Sequence, residues 1–494
     1  MRTVELVIAG AQTAGGTDRW SPVFDPATGA VQAQVALGGA TEVALAVDAA
    51  DKAFQSWRET SLAHRVRVLF AFRELVLRHE DDLVRAITDE HGKVLEDARG
   101  EVVRGREVIE FACGIPQLLK GDYSDQVSTG VDSYAFRQPL GVCAGITPFN
   151  FPVMVPMWMH PVAIACGNTF IHKPSERDPS AANLVAQLYA DAGLPDGVFN
   201  VVHGDKEVVD AILDHPGIAA VSFVGSTPVA RYIHQRATGT GKRVQALGGA
   251  KNHAVVLPDA DLEDAARQIT AAAYGSAGQR CMAISAVVAV GAAGDALVPL
   301  LAEHARAIRM GDGRAPDSEL GPVITAAARD RVLGVVERAA AGPAELVTDG
   351  RPAAVGRDGF FVGPCLFDGV TPDMEVYREE VFGPVLAVVR VATLEEAIEL
   401  INANPYGNGT ALFTSSGRSA RRFARGVTVG MIGVNVPVPV PMAYHSFGGW
   451  KASLFGDHHI HGPEGVAFYT QGKVVTSRWP AVERPASLNF PTSS

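Results

Sequence analysis

The sequence predicts an α/β protein with a doubly wound parallel sheet and a second α/β unit, and three observations carry that prediction. From about residue 140, short β-branched runs alternate with helical patterns, as βαβ units require. The alternation restarts after about residue 250. The chain has 494 residues, more than one ordinary core takes up, so two or three domains are expected.

The elements follow in order. "MRTVELVIAG" reads as a first strand, with neither the apolar core of a signal peptide nor the Arg/Ser-rich character of a transit peptide. Residues 30 to 110 carry apolar residues mainly at helical spacing. "LGVCAGI" and "NTFIHK" are strands, and a helix over 181–192 places Leu184, Leu188 and Ala192 on one face. "GVFNVVHG" is the third strand, and Val208, Val209, Ile212 and Leu213 mark the next helix. "IAAVSFVG" runs into the helix "STPVARYIHQRA", and "KRVQALGG" closes the set. Ligands of such a sheet bind beyond the carboxyl ends of its strands. Helices of the second unit read as "DLEDAARQITAAAY", "DALVPLLAEHARAI" and "LEEAIELINA". "VDSYAFR" (131–137) and "VAFYTQGKVVT" (466–476) alternate like exposed strands, whose open edges subunit contact commonly covers.

Composition narrows the function classes. A formal net charge of −11 with no basic cluster beyond short pairs such as Arg421–Arg422 argues against nucleic-acid binding. The five cysteines, at 113, 143, 166, 281 and 365, include no CxxC pair, so neither a disulfide framework nor a metal site is expected. The longest apolar stretch, "VMVPMWMHPVAIACG", is too short and too broken by proline to cross a bilayer. A soluble, cytoplasmic protein is expected.

Four stretches hold chemistry, each with two readings. In "FVGSTPVA", Gly225, Ser226 and Pro228 set a helix start that either binds an anion or is a plain capped turn. In "IHKPSE", Lys173 and Glu176 either hold ribose and phosphate or are solvated charges beside a turn. In "AGQRCMA", Cys281 is either a small buried hydrophobe or a nucleophile whose pKa Arg280 lowers. In "TPFNFP", the Asn150 amide either donates to an oxyanion or holds an Asx-type turn.

Together "TPFNFP", "KPSE", "FVGST", "LGGAK", "GQRC", "EEVFGP" and "NPYGNG" resemble, in order and separation, the aldehyde dehydrogenase superfamily over nearly the whole chain. "GITPFNFP", "HKPSERDP", "GAKNHAVV" and "GQRCMA" are most similar to its CoA-acylating methylmalonate-semialdehyde branch. The resemblance implies a Rossmann-type NAD domain over 1–118 and 140–248, a catalytic domain over 249–449, and small oligomerisation segments over 119–139 and 466–490, in a homotetramer. It implies Cys281 as nucleophile, with Asn150 and the Cys281 N–H as oxyanion hole. Lys173 and Glu176 would hold the adenosine ribose, Gly225, Ser226 and Val229 the pyrophosphate region, and Glu380 and Phe382 the nicotinamide ribose. Thr147, Phe149 and Leu247 would complete the NAD site.

Two departures stand out against that resemblance. Ala230 occupies the last glycine position of the dinucleotide turn. Ala246 stands where hydrolytic members carry a water-activating glutamate, so the thiol of CoA is expected to take the acyl group in place of water. A semialdehyde acid needs a cation; Arg280 fits by adjacency, and the resemblance adds Arg104, which otherwise reads as an exposed helical charge. The rival readings are a hydrolytic aldehyde dehydrogenase, a non-catalytic nucleotide-binding protein, and a cysteine hydrolase using His253 or His445 as base.

Overall fold

The described residues, 1–479 of a computed structural model, build two large sheets and three small ones. The eight-stranded sheet runs Leu454–Phe455, Arg243–Leu247, Ile218–Val224, Val142–Ile146, Thr169–Lys173, Phe199–Val201, Leu6–Ile8, Ala11–Thr13. Its five central strands are parallel, and the short edge pairings are antiparallel. The first of the five, Val142–Ile146, lies centrally, with the next two strands on one side and the last two on the other. The order therefore reverses between Val142–Ile146 and Ile218–Val224, and the loops leaving those two strands diverge to leave a crevice.

Burial explains why these runs are strands. Val142–Ile146 and Thr169–Lys173 are buried throughout, the pattern of a sheet covered on both faces. One face packs Ala40–Trp57, Lys206–Asp214 and Thr227–Gly239, through residues such as Val47, Ile212 and Ile233. The other packs Leu62–Arg78, Glu80–His91, Leu95–Cys113 and Ser180–Asp191, through Phe72, Ile87, Ile109 and Val185. The expected first strand divides: Arg2–Val4 pairs with Val31–Ala36 in a separate small sheet, while Leu6–Ile8 joins the large one.

The seven-stranded sheet runs Glu345–Thr348, Cys365–Asp368, Val385–Val391, Ile284–Val290, Asn252–Val256, Gly409–Phe413, Met431–Val434, parallel except at its first pair. Helices Leu262–Tyr274 and Ala293–Ala307 cover one face, and Ala326–Ala340 packs in a cluster on the other. Tyr123–Ser128, Val131–Pro139 and Thr470–Arg478 form a three-stranded antiparallel sheet. The alternating stretch at 466–476 is corrected at its start, because Gly462–Phe468 is helical and turns Val466 and Phe468 inward. Residues 480–490 of the expected second segment lie outside the described residues.

Gly145 shows how tightly the central strand is packed. A Cβ there would stand 2.6 Å from the Phe170 ring and 3.0 Å from Met159 Sδ. Gly145→Ala is expected to cost about 1–3 kcal/mol through overpacking, read as a lower urea midpoint. An unchanged midpoint would contradict this packing.

Candidate functional site

A cavity of about 700 Å³ opens at the strand-order reversal. Cys281, Asn150, Thr147, Phe149, Lys173, Glu176, Gly225, Ser226, Val229, Glu380 and Phe382 all line it. Leu247 is buried one residue from Gly248 and Gly249, which are in the wall. The eight-stranded sheet supplies the carboxyl ends of its strands: Thr147 to Asn150 follow Ile146, and Gly225 and Ser226 follow Val224. The other sheet supplies amino ends, since Cys281 precedes Ile284–Val290 and Glu380 precedes Val385–Val391.

At the Thr227–Gly239 helix start, the Ser226 side chain makes no capping bond, which leaves amide N–H groups directed at the crevice. Thr227 Oγ1 instead accepts the Gly249 N–H at 2.8 Å, tying this turn to the crossing between the sheets. Ala230 is fully buried on the inner face of the same helix, so its methyl is absorbed in the core. Lys173 is buried at the strand end with its Nζ 3.3 Å from Glu176, and burial lowers its pKa while Glu176 opposes that. Thr147 Oγ1 lies 2.8 Å from His172 Nε2, and burial lowers His172 to about 3, so this imidazole is neutral. Phe149 and Phe382 meet edge to face at 5.9 Å across the cavity.

Asn150 is almost fully buried, its side-chain amide makes no hydrogen bond to the described residues, and its carbonyl accepts Lys93 Nζ at 2.6 Å. Cys281 follows a left-handed run, Ser276, Ala277 and Gly278, with φ of 53°, 53° and 69°. A Cβ at Gly278 would lie 2.2 Å from the Gly383 carbonyl, so the loop is pressed against the Glu380 segment. The Cys281 carbonyl is held by Asn252 Nδ2 at 2.8 Å and Asn408 Nδ2 at 3.0 Å. These two asparagines lie inside "GAKNH" and "NPYGNG", motifs whose glycines and lysine drew the attention; an asparagine bonded to a backbone carbonyl has no spacing signature. Asp97, Lys93 and Glu101 also went unmarked, because helical charges read as a solvated face.

The adjacency argument for Cys281 is corrected. Burial pushes its thiol up to about 12, and Glu380 adds to that; the backbone N–H groups of Cys281 and Met282 oppose it more than Arg280 does. Arg280 does not line the cavity with Cys281, and its Nη2 donates to Asp97 at 2.5 Å. Arg104 also lies outside that cavity, bonded to Glu107 at 2.7 Å and to the carbonyls of Val440 and Pro441 at 3.1 Å each. Glu380 itself is raised to about 7 by burial, against the Ala250 N–H, Lys251 and Arg331.

Ala246 is fully buried in the cluster beneath Thr227–Gly239, with Phe223 and Ala230. Leu247 belongs to the cluster that reaches Met282 and Cys281. Successive side chains of a strand point to opposite faces, and Ala246 and Leu247 accordingly belong to different clusters, with Phe223, the partner of Ala246, in the cavity wall.

An open sheet with a crevice at its reversal point, met there by a loop from a second sheet, has the build of a nucleotide-dependent oxidoreductase. The aldehyde dehydrogenase family matches residues 13–475, and the chain belongs to that family. It is 53% identical to malonate-semialdehyde dehydrogenase of Pseudomonas aeruginosa over the whole of both chains. The crystal structure of methylmalonate-semialdehyde dehydrogenase from Oceanimonas doudoroffii superposes with a TM-score of 0.96 at 53% identity, covering 98% of this chain and 99% of that one. A candidate methylmalonate-semialdehyde dehydrogenase from Sinorhizobium meliloti, complexed with NAD, also gives 0.96 at 49% identity, with the same coverage.

Because burial governs the Cys281 thiol, its iodoacetamide alkylation in the ligand-free chain is expected to keep rising beyond about pH 10, as the thiolate fraction does below a raised pKa. A plateau near about pH 8 would show that a neighbouring cation dominates instead.

Proposed function

We propose that the chain is an NAD-dependent, CoA-acylating dehydrogenase that converts malonate semialdehyde or methylmalonate semialdehyde to acetyl-CoA or propionyl-CoA with loss of CO₂. The observation that carries the reading is the meeting of Cys281 and Asn150 in one cavity with Glu176, Ser226 and Glu380. Full-length relatives bearing the malonate-semialdehyde name support the substrate class.

The residues fit a dinucleotide. The open helix start at Ser226 suits a pyrophosphate, Lys173 and Glu176 a ribose, and Glu380 with Phe382 the second ribose. Glu176 disfavours a 2′-phosphate by charge, which favours NAD over NADP. Bound NAD⁺ supplies the hydride acceptor. Cys281 attacks the aldehyde carbon and Asn150 donates to the resulting oxyanion, which aids the tetrahedral species more than the ground state. Loss of hydride leaves a thioester on Cys281. Its carbonyl accepts the electrons released as the β-carboxylate leaves as CO₂, and CoA's thiol then displaces Cys281. Ala246 leaves no carboxylate base where hydrolytic members carry one, so water competes poorly.

Arg280 and Arg104 are the proposed grips for the substrate carboxylate. Each already faces a protein carboxylate, so substrate binding there is an exchange of anions. The three-stranded sheet is the proposed subunit contact of a homotetramer, since Tyr123, Val127 and Val474 stand exposed on it. The cytoplasm is the proposed compartment; all five cysteines are free thiols, and no helix of the described residues is long and apolar enough to cross a membrane.

Malonate semialdehyde with NAD⁺ and CoA is expected to yield NADH, CO₂ and acetyl-CoA, followed by mass spectrometry with CoA present and withheld. Equal turnover without CoA would favour the hydrolytic rival. Ala246→Glu, which restores the carboxylate that hydrolytic members carry, is expected to raise the CoA-independent rate, and an unchanged rate in the folded variant would count against the missing base. Arg280→Leu and Arg104→Leu should depress kcat/KM for the semialdehyde acid well beyond that for propanal; parallel losses would assign both arginines to structure.

A further inference from the structure

Helix Leu95–Cys113 carries Asp97, Glu101 and Arg104, residues spaced to share one stripe. Each is bonded to a different segment around the cavity. Asp97 Oδ2 accepts the Ser276 N–H at 2.9 Å, and its Oδ1 takes Arg280 Nη2 at 2.5 Å. One carboxylate thus grips the start of the left-handed run and the residue just before Cys281. Glu101 Oε1 accepts the N–H groups of Val153 and Met154 at 2.7 and 3.1 Å. Its Oε2 pairs with Lys93 at 2.8 Å, and Lys93 in turn donates to the Asn150 carbonyl. Both side chains of this pair are fully buried, and Lys93 Nζ lies 4.4 Å over the Phe151 ring. The second carboxylate therefore holds the chain at Asn150 itself, through Lys93, and just beyond it at Val153 and Met154.

Cys281 and Asn150 hang from different sheets, yet a thiohemiacetal needs them on one carbon and its oxygen. We propose that Asp97 and Glu101 are positioning residues that set the spacing of Cys281 from Asn150, acting as two fixed points on one helix. At 1.5 Å rise per residue, four residues place these anchors about 6 Å apart along the axis. Neither lines the main cavity, and each meets the site through the groups it holds. The inference rests on the proposed roles of Cys281 and Asn150, and it reaches beyond them to what holds them in register.

The test compares Asp97→Asn, Glu101→Gln and the paired Lys93→Met/Glu101→Leu, which removes the ion pair without orphaning a charge. Thermal unfolding and NAD binding by fluorescence establish that each variant folds. Among folded variants, kcat is expected to fall between about ten- and a hundredfold for propanal and malonate semialdehyde alike, with KM and the NAD Kd nearly unchanged, as for a small misplacement of reacting groups. Cys281 alkylation separates the two anchors: Asp97→Asn should alter its rate severalfold, and Glu101→Gln should leave it as it was. Asp97→Glu, which keeps the charge, should restore part of the loss. Full kcat in folded variants, or alkylation shifted equally by both single changes, would overturn the proposal. If the unaltered chain oxidises neither aldehyde, the functional reading fails, and the alkylation comparison alone decides the placement of the cysteine loop.

Discussion

The site depends on four residues, Gly248 to Lys251, by which the chain leaves one sheet and enters the other. Leu247 ends a strand of the eight-stranded sheet, and Asn252 begins one in the seven-stranded sheet. A crossing this short forces carboxyl ends on one side of the cavity to face amino ends on the other. It also leaves no room for side chains: a Cβ at Gly249 would lie 2.4 Å from Glu380 Oε2, and one at Gly248 would lie 2.6 Å from the Ala452 carbonyl. Lys251, buried and lowered to about 8 by that burial, donates to the carbonyls of Val376 and Glu379. The crossing thereby fixes the Glu380 segment together with the relation between the sheets.

Electrostatics at the thiol follow from this enclosure. A guanidinium adjacent in sequence need not act on its neighbour, and Arg280 donates to Asp97. Desolvation then dominates, and Glu380 adds repulsion whenever it is ionised. With Glu380 raised to about 7, that repulsion is partly relieved near neutral pH, where a fraction of Glu380 is protonated. The resting thiol is held mostly protonated.

Much of this was legible in the sequence because period and turn chemistry are local. The parallel strands from Val142 to Leu247 announce themselves as buried β-branched runs, and the turn at Gly225–Pro228 announces a helix start. The motif residues that line the cavity were identifiable through their resemblance in order and spacing. What stayed hidden was long-range. Asp97 meets Arg280 across 183 positions, and Asn408 meets Cys281 across 127. Lys93 and Glu101 look like any exposed helical pair until the fold buries them completely. The helical end of the 466–476 stretch was misread because a short run supports either period.

The choice between acyl transfer and hydrolysis turns on register as much as on composition. Ala246 and Leu247 differ by one step along a strand, and that step exchanges the face beneath Thr227–Gly239 for the face toward Met282. Ala246 pairs with Phe223, which lines the cavity together with Cys281, so the residue type at 246 decides whether a carboxylate stands beside that wall. The neighbours of the strand, Ile218–Val224 and Leu454–Phe455, pair with it through Val224 and Leu454 opposite Leu247, and so hold that register from both sides. The methyl group that stands at position 246 in place of a carboxylate is therefore held by strand pairing fixed well away from the reacting atoms.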